Sequence, residues 1–308
     1  MPTNQGDRQA FFRAISSTTT DYNGDFLAAA ATESFTGEFN GVFIQWLQNR
    51  TGSSKTNINE LKQEFADLAG AYNWESTGGV PIILEGCALW LDASDEDSLT
   101  KDGSNLLATW GDKSSNGNSP TAAGGDRPLF EVNQLNGLPT INFDGGDQMD
   151  LPSGLFSIPN GNNTIFIVSQ RATESGSLET LISLSDSTAA DYFMIYSSVV
   201  GTVSFKSRDG AAGTLANAGN TLTDYNIYRG RRSGTTQALA VNGAAEVTNS
   251  SGVSSAGIDS GDIGASNADN IMLTGNIGEI IIYDRSLSAA EYGQVETYLS
   301  NKWGIAIA

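Results

Sequence analysis

Residues 277–304 read IGEIIIYDRSLSAAEYGQVETYLSNKWG, and this stretch decides the fold. Gly278 precedes a continuous apolar run, Ile280-Ile281-Ile282-Tyr283, whose branched and aromatic side chains suit a buried strand. Asp284-Arg285-Ser286 ends the run. Ser288 then stands where a helix N-cap belongs, with Glu291 three residues on, the spacing of a capping box. Leu287 and Tyr292 flank the cap at the spacing of a hydrophobic staple. Tyr292, Val295, Leu299 and Trp303 follow at helical intervals, so one face of a closing helix packs on the body of the protein. Gly304 supplies the stop.

Upstream stretches carry further pattern. Ala88-Leu89-Trp90-Leu91-Asp92-Ala93 reads as a strand, Trp110-Gly111-Asp112-Lys113-Ser114 with Asn116-Gly117 as a turn. Asn136-Gly137-Leu138-Pro139 leads into Ile141-Asn142-Phe143-Asp144-Gly145. In this order, with the closing strand and helix, they resemble the concanavalin A-like (laminin-G-like) domains of bacteria and phages over residues 86 to 306. The resemblance implies a mainly β fold, a concanavalin A-like antiparallel β-sandwich (jelly roll) with a C-terminal helix. It does not choose a function, because that fold hosts lectins, glycosidases and structural modules.

The rest of the chain agrees with many short strands joined by turns. Gly is abundant and charged residues are few. Strands are predicted over 140–143, 164–170, 180–184, 192–197, 202–207, 224–229, 237–241 and 271–284, with Asn242-Gly243 as the strongest hairpin signal. Residues 192–196 are apolar on both faces, so that strand is buried on both sides or meets another subunit.

Residues 1–76 differ. Four helical patches predict a small all-α module; the third carries Phe39, Val42, Phe43, Trp46 and Leu47 at helical spacing. The pattern resembles short helical modules at the head of phage structural proteins. That resemblance implies an attachment or oligomerisation role, with Phe39, Phe43 and Trp46 as the attachment face. Residues 77–86 read as a linker and 87–308 as the sandwich.

Composition narrows the function. Against 16 Lys and Arg stand 35 Asp and Glu, a net charge of −19, which disfavours nucleic acid as a partner. There is no His, which removes Ser-His-Asp and Cys-His catalysis from consideration. Cys87 is the sole cysteine and sits among Gly86, Ala88 and Leu89, the setting of a small buried hydrophobe. No apolar leader and no membrane-length run is expected to direct the chain out of the cytoplasm or into a bilayer.

Candidate chemistry is sparse. The glucanases of this fold resemble one another in a Glu-x-Asp-x-Glu strand, which puts paired carboxylates on one face; this chain lacks it. The acidic loop of Asp92, Asp95 and Asp97 offers oxygen ligands for Ca²⁺, and Asp144 with Asp147 a second set; the alternative is turn-capping. No cofactor is required by any motif. Arg229, Arg231 and Arg232 form the one dense basic patch, read either as a partner or glycan contact or as a charged edge strand. The expectation is a non-enzymatic phage virion protein, a capsid decoration protein exposing a lectin-like sandwich and forming a homo-oligomer such as a trimer. A tail-associated adhesin for host surface glycans is the alternative, and a glycoside hydrolase the second. An aromatic-lined groove on one sheet with converging Asn and Asp is the feature expected of the lectin.

Overall fold

The computed structural model describes residues 85–308 apart from 115, 159–160, 174–176, 186–190, 199–200, 207–213, 219–220, 251–257 and 267–270. The helical module expected over 1–76, with Phe39, Phe43 and Trp46, lies outside the described residues.

In chain order the strands are β1 (Cys87–Asp92), β2 (Leu99–Lys101), β3 (Leu107–Trp110), β4 (Leu129–Leu135), β5 (Leu138–Asp144) and β6 (Met149–Asp150). There follow β7 (Asn163–Arg171), β8 (Glu179–Ser185), β9 (Asp191–Ser198), β10 (Thr202–Lys206), β11 (Thr214–Ala218) and β12 (Asn226–Ser233). The last are β13 (Thr236–Val241), β14 (Val247–Ser250), β15 (Ser260–Ile263), β16 (Ala265–Ser266), β17 (Ile271–Met272) and β18 (Thr274–Tyr283). Helix α1 (Ala289–Trp303) closes the chain. Among the described residues no helix is long and apolar enough to cross a membrane.

Two antiparallel sheets face each other. The eight-stranded sheet runs β14-β13-β12-β7-β18-β5-β4, with β1 also paired to β18; the six-stranded sheet runs β11-β10-β9-β8-β15-β6. Strand β18 organises the larger sheet. Its first half pairs with β5, its second half with β1, and β7 flanks both halves. The first and last strands therefore lie side by side.

Alternation divides the larger sheet into two faces. Leu89, Leu91, Ile165, Ile167, Tyr228, Leu239, Ile280 and Ile282 enter the core between the sheets, with Val203, Phe205, Ile182 and Leu184 from the other side. Trp90, Phe166, Ile281 and Tyr283 point the other way and are buried too, because α1 lies over them. That second layer explains why β18 is apolar without alternation: both of its faces are covered. Phe166 and Tyr283 meet edge to face, ring centroids 6.2 Å apart.

The closing element forms as the sequence predicts. Ser288 Oγ accepts from Glu291 N, the Glu291 side chain accepts from Ser288 N, and Gly304 caps the C-terminus at φ +69°. Val295, Leu299 and Trp303 are buried; Tyr292 is half-buried, with Arg229 lying over its ring. Asn242-Gly243 makes the tight turn after β13, both residues at positive φ and Ala244 N donating to Val241 O. Three expectations need correction. The strand over 271–284 is split into β17 and β18, Trp110, read as the start of a turn, ends β3, and β2, β4, β6, β11, β14, β15 and β16 were not foreseen. The segment at 192–197 is the strand β9; its side chains lie outside the description.

Candidate functional site

The residues that make the sequence distinctive meet under α1. Glu279, fully buried on β18, accepts four hydrogen bonds: Trp90 Nε1 at 2.8 Å, Tyr298 OH at 2.9 Å, Lys302 Nζ at 2.8 Å and Trp303 Nε1 at 2.7 Å. Lys302 Nζ also reaches Asp92 Oδ1 at 2.6 Å, and Lys113 Nζ reaches Asp92 Oδ2 at 2.8 Å. Asp112 Oδ1 accepts from Trp90 N and Ser114 N, tying the 110–117 turn to β1. The strand, turn and helix motifs are thus the partners in one ion-pair cluster that fastens the helix to the sheet. Burial raises the cost of ionising Asp92, but the ammonium groups of Lys302 and Lys113 outweigh it and hold its pKa at about 2. Burial pushes Glu279 above the usual range, while its four donors favour the anion.

In this cluster two of the three acids expected as Ca²⁺ ligands, Asp92 and Asp95, are drawn to lysines. Both oxygens of Asp92 carry a lysine, Asp95 pairs with Lys113 at 2.9 Å, and Asp97 stands exposed. Among the described residues no group of three or more His, Cys, Asp or Glu side chains could hold a metal ion. In the second loop Asp144 Oδ1 accepts from Gly146 N and Asp147 Oδ2 from Asp144 N, the turn-capping use of short acids. Burial, with Asp144 close by, lifts Asp147 to about 6.

The basic patch is likewise turned inward. β12 lies between β13 and β7, so it is not an edge strand. Arg229, only 2% exposed, faces α1, pairs with Glu296 at 2.9 Å and lies 3.6 Å over the Tyr292 ring. Arg231 makes a two-point contact with Glu246 at 2.9 and 2.5 Å and donates to Ser286. Arg232 is buried and donates to Gly234 O. Of the three arginines expected at a partner or glycan contact, Arg229 and Arg231 are thus paired internally, their acids supplied by Glu246 just before β14 and by Glu296 of the helix. Cys87 is buried, and burial pushes its thiol up to about 12, so it stays a thiol.

The sequence reading missed one arrangement. Past the end of α1, the outer face of the larger sheet carries a row that register sets side by side: Leu129 of β4, Asn142 of β5, Asn276 of β18 and Gln170 of β7. Asn142 Nδ2 donates to Asn276 Oδ1 at 3.0 Å. Asn276 in turn hydrogen-bonds Tyr225, whose hydroxyl lies 3.5 Å from Thr140 Oγ1. Asn142, Gln170, Tyr225 and Leu129 are half-buried, and the amide of Gln170 makes no hydrogen bond to the described residues. Glu131, paired with Thr140, and the exposed Asp144 stand at the margins. The signal available in sequence was an amide at the same alternation phase in each of three strands, visible only once their register is known.

No family model matches the chain, and no curated protein matches it. Among solved structures it is similar to the sialidase of Trypanosoma rangeli (14% identity, TM-score 0.51, 70% of this chain and 33% of that one). It is also similar to the binding domain of Paraclostridial Mosquitocidal Protein 1 (14% identity, TM-score 0.51, 71% and 53%). The NanB sialidase of Streptococcus pneumoniae matches at 20% identity and TM-score 0.42, over 50% of this chain and 26% of that one. The chain thus spans between a quarter and about half of the length of these proteins. The likeness establishes a β-sandwich.

Proposed function

We propose that this chain is a non-enzymatic, lectin-like β-sandwich that binds glycans from the surface of a phage particle. It serves there as a capsid decoration protein or, alternatively, as a tail-associated adhesin. One observation carries the binding half of this reading. The two carboxylates buried under α1, Asp92 and Glu279, are engaged by lysines and indoles, while Asn142 and Gln170 lie half-buried on the outer face on either side of the buried Asn276. The sandwich it shares with the binding domain of a mosquitocidal protein and with a sialidase is compatible with that role. The concanavalin A-like motifs and the phage-like head pattern over 1–76 carry the particle half, with Phe39, Phe43 and Trp46 as its attachment face and a homo-oligomer, such as a trimer, as its assembly state.

The test of the particle half is incorporation. Full-length chain and a form lacking residues 1–76 are supplied during phage growth, and purified particles are probed with antibody to the sandwich. Labelling by the full chain alone is expected. Equal labelling by the shortened form, or none by either, contradicts the attachment role.

A further inference from the structure

We infer that Asn142 and Gln170, set on either side of the buried Asn276, form the glycan contact with Tyr225 beside them, and that the ligand is an uncharged glycan and not a sialylated one; this rests on the glycan-binding reading above. Asn276 is held in place from two sides, by Asn142 and by Tyr225, so the row keeps its geometry without ligand. A planar side-chain amide offers a donor and an acceptor, the pairing that neighbouring sugar hydroxyls require. The half-buried Tyr225 and Leu129 add apolar surface beside them, as a sugar ring's C–H face demands.

Charge selects the ligand class. The titratable groups bordering the row, Glu131 and Asp144, are carboxylates. They accept hydrogen bonds from sugar hydroxyls and repel a sialic acid carboxylate or a sulfate, and the chain's net charge of −19 adds to the repulsion. The arginines that would bind an anion, Arg229 and Arg231, are paired with Glu296 and Glu246. A protein partner is disfavoured because the row is amide and hydroxyl throughout except for Leu129 and the Tyr225 ring, whereas protein interfaces centre on clustered apolar and aromatic anchors.

The test uses full-length chain against immobilised glucose-, galactose-, mannose- and N-acetylglucosamine-terminated oligosaccharides, with sialyllactose and sulfated oligosaccharides as anionic probes. Gln170→Ala and Asn142→Ala remove row amides, and thermal melts accompany each. Binding to at least one neutral probe, weakened tenfold or more in both variants at unchanged Tm, is expected. Tyr225→Ala supplies a second reading should Asn142→Ala melt early. Neutral binding that survives the variants removes the row and leaves the glycan-binding reading standing; no binding of any probe removes both. Preference for the sialylated or sulfated probes overturns the choice of ligand.

Discussion

Lys302 Nζ lies 2.6 Å from Asp92 Oδ1, 210 residues away in sequence, and 2.8 Å from the buried Glu279. One ammonium therefore joins the first strand of the sandwich, its last strand and its terminal helix. Removing it leaves two carboxylates facing each other under α1, with Lys113 to balance only one. Lys302→Met is expected to cost about 3–5 kcal/mol, the range for breaking a buried pair from one side. Adding Glu279→Gln should restore part of that loss, since the second charge goes too. Urea denaturation of both variants reads the coupling; strict additivity would show that the pair is not a unit.

Acid should undock the helix in a defined window. Asp92 is held at about 2 by Lys302 and Lys113 against the cost of burial, and Glu291 is held at about 2 by Arg285 and the Ser288 N–H. Both values lie below the ordinary carboxylate values of about 4. Their contribution is present above about pH 4 and is lost as pH falls through about 2. Tryptophan fluorescence should report it, because Trp90 and Trp303 both donate to Glu279. A melting temperature unchanged from pH 5 to pH 2 would count against the cluster's role.

Asp147 predicts the opposite sign. Burial lifts its folded value to about 6, so the carboxyl favours the fold below about pH 4 and penalises it as pH rises through about 6. Asp147→Asn keeps an oxygen for the Asp144 N–H. It should stabilise the protein at pH 7.5, by up to about 3 kcal/mol for a shift of that size, and do nothing at pH 4. Equal effects at the two pH values in differential scanning calorimetry would remove the titration from the account.

Gly278 tests how closely the helix sits on β18. A Cβ there would lie 2.9 Å from Trp303 Cη2 and 3.0 Å from its Cζ3. Gly278→Ala is expected to cost about 1–3 kcal/mol as overpacking. In a Trp303→Leu background the same change should cost less, because the ring it strikes is gone. Chemical denaturation of the four proteins in that cycle settles it.

Local features of this chain were readable from the sequence, and pairings were not. The Ser288–Glu291 cap, the Gly304 stop and the Asn242-Gly243 turn depend on residues within a few positions of one another, and each formed as expected. β4 was missed because Glu131, Asn133 and Gln134 break its apolar pattern, and β14 because it reads only Val-Thr-Asn-Ser. Asp92 looked like a free acid since its lysines stand 21 and 210 residues on. Arg229 looked like surface because nothing nearby in sequence marks Glu296 as its partner. The amide row needed the register of three strands, which no spacing in the chain reveals.

The central claim, that the sandwich holds glycans without cleaving them, is tested most directly by one screen. Purified full-length chain is applied to a glycan array, and every bound glycan is then incubated with it and followed for cleavage by mass spectrometry, with and without Ca²⁺. The account predicts selective retention of neutral glycans and no cleaved product. Cleavage of any of them, or an array that stays blank in both conditions, would contradict it.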